Sequence, residues 1–158
     1  MLDTPQITRT SWVRSAVIRV TIPRTEIQQA MGAGIQELMS TLAAQGVAPG
    51  GPWYTHHLRM DPDVFDFEIG VPISAPVTPK GRVRAGELPA ARVARVVYRG
   101  GYEGLGNAWG EFEKWLAAEG HKPRPDLWEV YVAGPETSAD PAEWRTELNR
   151  PLEGLSAP

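Results

Sequence analysis

The stretch DLWEVYVAGP, Asp126 to Pro135, has the apolar and aromatic density of a buried strand, yet it carries one carboxylate, Glu129, between Trp128 and Val130. An ionised carboxylate without a partner in an apolar site costs several kcal/mol, so the position has to be explained by what it meets. Side chains two apart on a strand share a face, which puts Tyr131 beside Glu129 and turns Trp128 and Val130 the other way. A desolvated carboxylate beside a phenol can do two kinds of chemistry. It can hold an organic cation, or it can activate water while the phenol supplies a proton. The competing structural reading is a hydrogen-bonded or salt-bridged carboxylate, with an arginine such as Arg95 as its partner.

Other constellations fail on spacing. His56 and His57 are adjacent on an expected strand, so their side chains diverge, and His121 lies in a loop far along the chain. With no HxH or HExxH spacing, the expectation is no metal and no cofactor. RGGYEGLG, Arg99 to Gly106, has the look of a phosphate loop but fits neither G-x-G-x-x-G nor G-x-x-x-x-G-K-[ST], and reads instead as a glycine-bearing turn into a helix. There is no G-x-S-x-G, and the chain has no cysteine, which removes disulfides, thiolate metal sites and much hydrolase chemistry.

The 158 residues suffice for one domain, or two small halves sharing one core. A formal charge of −3, with Arg and Glu interspersed, gives no basic stripe, so direct nucleic-acid binding is not expected. The densest basic stretch, VTPKGRVRAG, reads as a solvated connector. No apolar run approaches the ~20 residues needed to span a bilayer, and MLDTPQITRT lacks the regions of a signal peptide. The expectation is a cytoplasmic protein with no membrane partner. Six Trp suit cores, interfaces and aromatic pockets alike.

The elements that would position these residues come in two rounds. Ser11 to Ile22 reads as a strand. Thr25 and Gln28 resemble a capping box for a helix with Ile27, Met31, Ile35, Leu38 and Leu42 on one face, ending near Gly46. Two strands follow, Trp53 to Leu58 and Val64 to Ile73, separated by a turn at MDPD. After a Pro- and Gly-rich linker, residues 74–81, the pattern restarts: strand Arg92 to Arg99, helix Tyr102 to Ala118, then strands in LWEVYVA and EWRTELNRPL. LAAQG at Leu42 matches LAAEG at Leu116, and the same offset sets Tyr54 on Trp128. FEIGVPI later matches TELNRPL, with Glu68 on Glu147. This is an internal repeat, residues 6–73 and 82–152, with a tail at 153–158. Two strand-helix-strand-strand units would form one curved antiparallel sheet with two main helices on one side. The α+β fold would then place a ligand cleft at the pseudo-twofold axis.

The run from Leu88 to Leu152 resembles the second half of the GyrI-like small-molecule-binding domains, found also as effector-binding domains of multidrug-responsive transcription regulators. The motifs are Leu88-Pro89-Ala90, Tyr98 to Leu105, Trp128 to Pro135 and Glu143 to Leu152. GPWYTHH and FDFEIGVPI resemble the weaker first-half motifs, so the likeness covers Gln6 to Leu152. It implies the duplicated fold above and a cleft that binds lipophilic, often aromatic and cationic, compounds against a buried glutamate, matched here by Glu129. By resemblance Trp144 matches an aromatic wall position. Tyr98 and Tyr102 flank the start of the second helix, Trp109 lies on it, and Phe65 is the pseudo-symmetric partner of Trp144. Trp109, Phe112 and Trp115 could equally be core.

The first expectation is therefore a free-standing multidrug-binding protein using Glu129, Tyr131, Trp144, Tyr98, Tyr102, Trp109 and Phe65. With one such domain filling the chain, no helix-turn-helix is expected. The alternative implied by the resemblance is a hydrolase of reactive cyclopropane-containing natural products, with Glu129, Tyr131 and Tyr98 as catalytic groups. A third, resting on the family name alone, is a protein that contacts gyrase; no sequence feature indicates such a partner.

Overall fold

The computed structural model describes residues 2–60, 63–135 and 137–153, with backbone only at Gln28 and Met60. The expected turn at MDPD and most of the tail lie largely outside these described residues. In chain order the elements are β1 (Gln6–Arg9), β2 (Val13–Pro23), α1 (Ile27–Gln45), β3 (Tyr54–Met60), β4 (Val64–Pro72), β5 (Arg84–Leu88), β6 (Arg92–Arg99), α2 (Leu105–Ala118), β7 (Leu127–Ala133) and β8 (Arg145–Pro151). The class is α+β, as expected, and each pairing within the two units described below is antiparallel. Among the described residues no helix is long and apolar enough to cross a membrane.

Two compact units form, one of them Ser11–Ala90 and the other built from the chain on either side of it. In the first the strand order is β3-β4-β2-β5, and in the second it is β7-β8-β6-β1. In the first unit Leu38 and Leu42 of α1 pack with Ala16, Ile18, Val20, Phe67 and Ile69 from the sheet. In the second, Ala108, Phe112 and Leu116 of α2 pack with Ala94, Val96 and Leu148. The helices stop where the pentapeptides match. Gly46 (φ 68°) and Gly120 (φ 73°) both adopt the left-handed conformation. Val47 N–H donates to Leu42 O at 2.9 Å, and His121 N–H donates to Leu116 O at 2.9 Å. A Cβ on Gly120 would meet nothing within 4 Å, so Gly120→Ala isolates the backbone cost of a positive φ. It should destabilise the protein by about 1 kcal/mol in urea denaturation.

Three expectations about the elements change. Thr25 is not the cap of the helix: it lies in a 3-10 turn, Arg24–Glu26, and the residue before α1 is Glu26, whose side chain makes no capping hydrogen bond. The connector reading of VTPKGRVRAG is corrected at its end, where β5 pairs with β2 from Arg84 to Leu88 and Val83 and Leu88 are buried. β1, which the sequence left unread as a strand, pairs with β6 from Gln6↔Arg95 to Arg9↔Arg92.

Candidate functional site

Glu129 sits in the middle of β7, 8% exposed, and both of its carboxylate oxygens accept hydrogen bonds. Trp109 Nε1 donates to Oε2 at 2.6 Å from α2, and the Tyr131 hydroxyl donates to Oε1 at 2.7 Å from the same strand. The period of two holds, and the register explains why Arg95 is not the partner. Glu129 lies across from Leu148, whose next neighbour on β6 is Val96, both in the core under α2. Arg95 lines up instead with Asn149 and Trp128, and so points to the opposite face. There it donates to Asn149 Oδ1 at 2.8 Å and pairs with Glu147 at 3.3 Å. Among the described residues no cation pairs with Glu129. Burial pushes its carboxyl pKa up, and the bonds from Trp109 and Tyr131 offset only part of that rise.

The raised pKa has a consequence for stability. Folding takes up a proton at Glu129 across the interval between its ordinary value of 4.5 and the elevated folded one. The contribution to stability is present below about 4.5 and is lost as pH rises through that interval. Urea denaturation without ligand should therefore show Glu129→Gln to be less sensitive to pH than the wild type as pH rises above about 4.5. An identical pH slope in the two proteins would place the proton elsewhere.

An aromatic arc continues from both sides of the carboxylate. The Tyr131 ring meets Tyr102 edge-on at 5.8 Å, and Tyr102 lies against Trp144 at 4.9 Å. Tyr102 is 38% exposed. A shift in the β7–β8 register between Tyr131 and Ala133 leaves Val132 outside the ladder, a bulge at the edge of the site. Trp144 precedes β8 and is held by its Nε1, which donates to Ser138 O at 2.9 Å. On the other side Trp109, Phe112 and Trp115 follow one another along α2, with ring separations of 5.8 and 6.1 Å, and His121 closes on Trp115 at 5.5 Å.

The remaining residues singled out from the sequence make other contacts. Tyr98 is buried in the core under α2, and its hydroxyl donates to Gly101 O at 2.9 Å. A Cβ on Gly104 would overlap that hydroxyl, and one on Gly100 would come within 2.9 Å of it. Two of the four glycines of RGGYEGLG, Gly100 and Gly104, are thus required by Tyr98, and the segment is the turn into a helix that the sequence suggested. Phe65 belongs to the Ser11–Ala90 unit, where it meets His57 at 5.4 Å and carries the Arg24 guanidinium 4.4 Å above its ring. His57 also stacks on Phe67 at 5.1 Å, and burial holds it neutral by lowering its pKa to about 4. Its neighbour His56 pairs in register with Glu68.

Spacing had assigned Tyr131 to Glu129. Trp109 was named only as wall or core, because nothing in a sequence reports an indole N–H meeting a carboxylate 20 residues away. Ser138 was missed altogether: a backbone carbonyl has no residue-type signature.

The arrangement offers a desolvated carboxylate with two neutral donors and a run of aromatic faces beside it. The model of the GyrI-like small molecule binding domain family matches residues 4–153. No curated protein matches the chain. Solved structures with the same fold include EcmrR in complex with DNA, at TM-score 0.82 and 21% identity, covering 96% of this chain and 58% of that one. The EcmrR C-terminal domain alone matches at TM-score 0.80 and 20% identity, over 96% of this chain and 98% of that one. SAV2435 bound to tetraphenylphosphonium matches at TM-score 0.65 and 13% identity, over 97% and 96%. The chain thus spans little more than half of the EcmrR chain seen with DNA, and at these identities the likeness is one of fold. On the family match over nearly its whole length, the chain belongs to the GyrI-like small-molecule-binding domains.

Proposed function

We propose that this protein binds lipophilic aromatic cations, with Glu129 as the counter-charge and Tyr131, Tyr102, Trp144 and Trp109 as the surrounding aromatic surface. The observation that carries the reading is a buried carboxylate whose partners, the Trp109 indole and the Tyr131 phenol, are both neutral. Such a group gains most from an incoming positive charge, because the described residues supply none. Aromatic faces add about 0.5–2 kcal/mol each toward a cation without demanding one ligand shape. SAV2435, which shares the fold, is seen with tetraphenylphosphonium.

The test uses two ions of nearly the same shape and opposite charge. Wild-type protein titrated calorimetrically should bind tetraphenylphosphonium and discriminate against tetraphenylborate. Equal affinity for the two would reduce the site to a greasy surface and end the proposal. Mass spectrometry of a cyclopropane-containing electrophile incubated with the protein reports separately on turnover. Product that vanishes in Glu129→Gln would move the assignment from binding to hydrolysis.

A further inference from the structure

A second feature lies in the Ser11–Ala90 unit and involves none of the residues around Glu129. Trp12, just before β2, is 52% exposed. With Arg14, Ile73, Pro76, Val77, Ala85, Gly86 and Glu87 it lines an open groove of about 310 Å³. Ile73 and Val77 are buried and form its apolar floor. One wall is β5, which among the described residues pairs only with β2 and ends the sheet, so its other edge carries backbone groups with no strand partner.

The register decides which side chains face the groove. Ala85 lies across from Ala16, a core residue under α1, and Glu87 lies across from Arg14, two residues along on the same face. Arg84 points to the opposite face and pairs there with Glu68 at 3.3 Å. Glu87 and Arg14 are both exposed, and no ion pair joins them, although they face each other in register. A strand added at the free edge would have Glu87 between Arg14 and its own residue. At that position a basic side chain is favoured and an acidic one opposed. The residue two positions on would stand opposite Ala85, whose small side chain leaves room above it for a larger apolar group against Val77.

We propose that the free edge of β5 receives an extended segment of a partner protein, with a basic residue opposite Glu87 and an apolar residue opposite Ala85. Main-chain hydrogen bonds to the edge supply affinity, and the two side-chain positions supply selectivity.

The test is a titration of 15N-labelled protein with the blocked peptide Ac-Thr-Lys-Thr-Leu-Thr-NH2, and with the same peptide carrying Glu in place of Lys. The Lys peptide should shift the β5 amides and the Trp12 indole signal, and bind about five-fold more tightly than the Glu peptide. Glu87→Lys, at an exposed site and checked by circular dichroism for intact fold, should invert that preference. Ala85→Phe should fill the groove and abolish binding of both. The proposal is overturned if no β5 amide moves at millimolar peptide, if the preference survives Glu87→Lys, or if the shifts fall on Trp109 and Tyr131 instead. The first two outcomes would leave Glu87 as a charge that merely guards an edge against aggregation.

Discussion

Glu129→Gln should weaken tetraphenylphosphonium binding by about ten- to a hundred-fold, the equivalent of losing a charged interaction of roughly 1.5–3 kcal/mol in a desolvated setting. The substitution keeps size and shape. The amide oxygen can still accept from either Trp109 or Tyr131, whose bonds at 2.6 and 2.7 Å now converge on the two carboxylate oxygens. What disappears is the negative charge, so the loss should be confined to cations, and tetraphenylborate should bind no worse than before. Paired calorimetric titrations of wild type and variant measure both. A variant that keeps its tetraphenylphosphonium affinity within two-fold would show that the aromatic surface alone does the binding. Tyr131→Phe and Trp109→Phe each remove one neutral donor, and so should have smaller effects on cation affinity than removing the charge itself.

Phe112→Ala should be strongly destabilising. The side chain is 0% exposed and stands between the rings of Trp109 and Trp115, within the cluster that joins α2 to β6 and β8. Truncating a buried Phe costs about 3–5 kcal/mol through lost transfer energy and the cavity left behind. That is a large part of the 5–15 kcal/mol typical of a domain, and corresponds to a fall in Tm on the order of 10 °C. Urea denaturation and a thermal scan measure it. A loss below about 1 kcal/mol would mean that the cluster closes around the gap, or that Phe112 is not at its centre. Because Phe112 backs Trp109, ligand binding should weaken in this variant even at temperatures where it remains folded.

Much of this was legible before any coordinates. The two helices end where a left-handed residue is needed, and LAAQG and LAAEG supply it as Gly46 and Gly120. Alternation along β7 was enough to join Tyr131 to Glu129. β5 was not legible, because RAGEL has a glycine, two charges and only one buried apolar residue; it is a strand through its pairing with β2. The supposed capping box failed for a related reason. A Thr–Gln spacing is only a local preference, and here the chain leaves β2 through a 3-10 turn that displaces the start of α1.

By itself, then, the sequence determined the class of fold, the order of its main strands and helices, and the presence of a carboxylate in an apolar strand. These depend on periodicity and on residues close together in the chain. Tertiary structure alone decided what that carboxylate meets. The β6–β8–β7 register turned Arg95 to the opposite face of the sheet, and the packing of α2 brought the Trp109 indole to Glu129. Whether a buried charge is neutralised by its own fold or left for a ligand depends on such long-range placement, because Coulomb and hydrogen-bond energies are set by distance in space and not by separation along the chain.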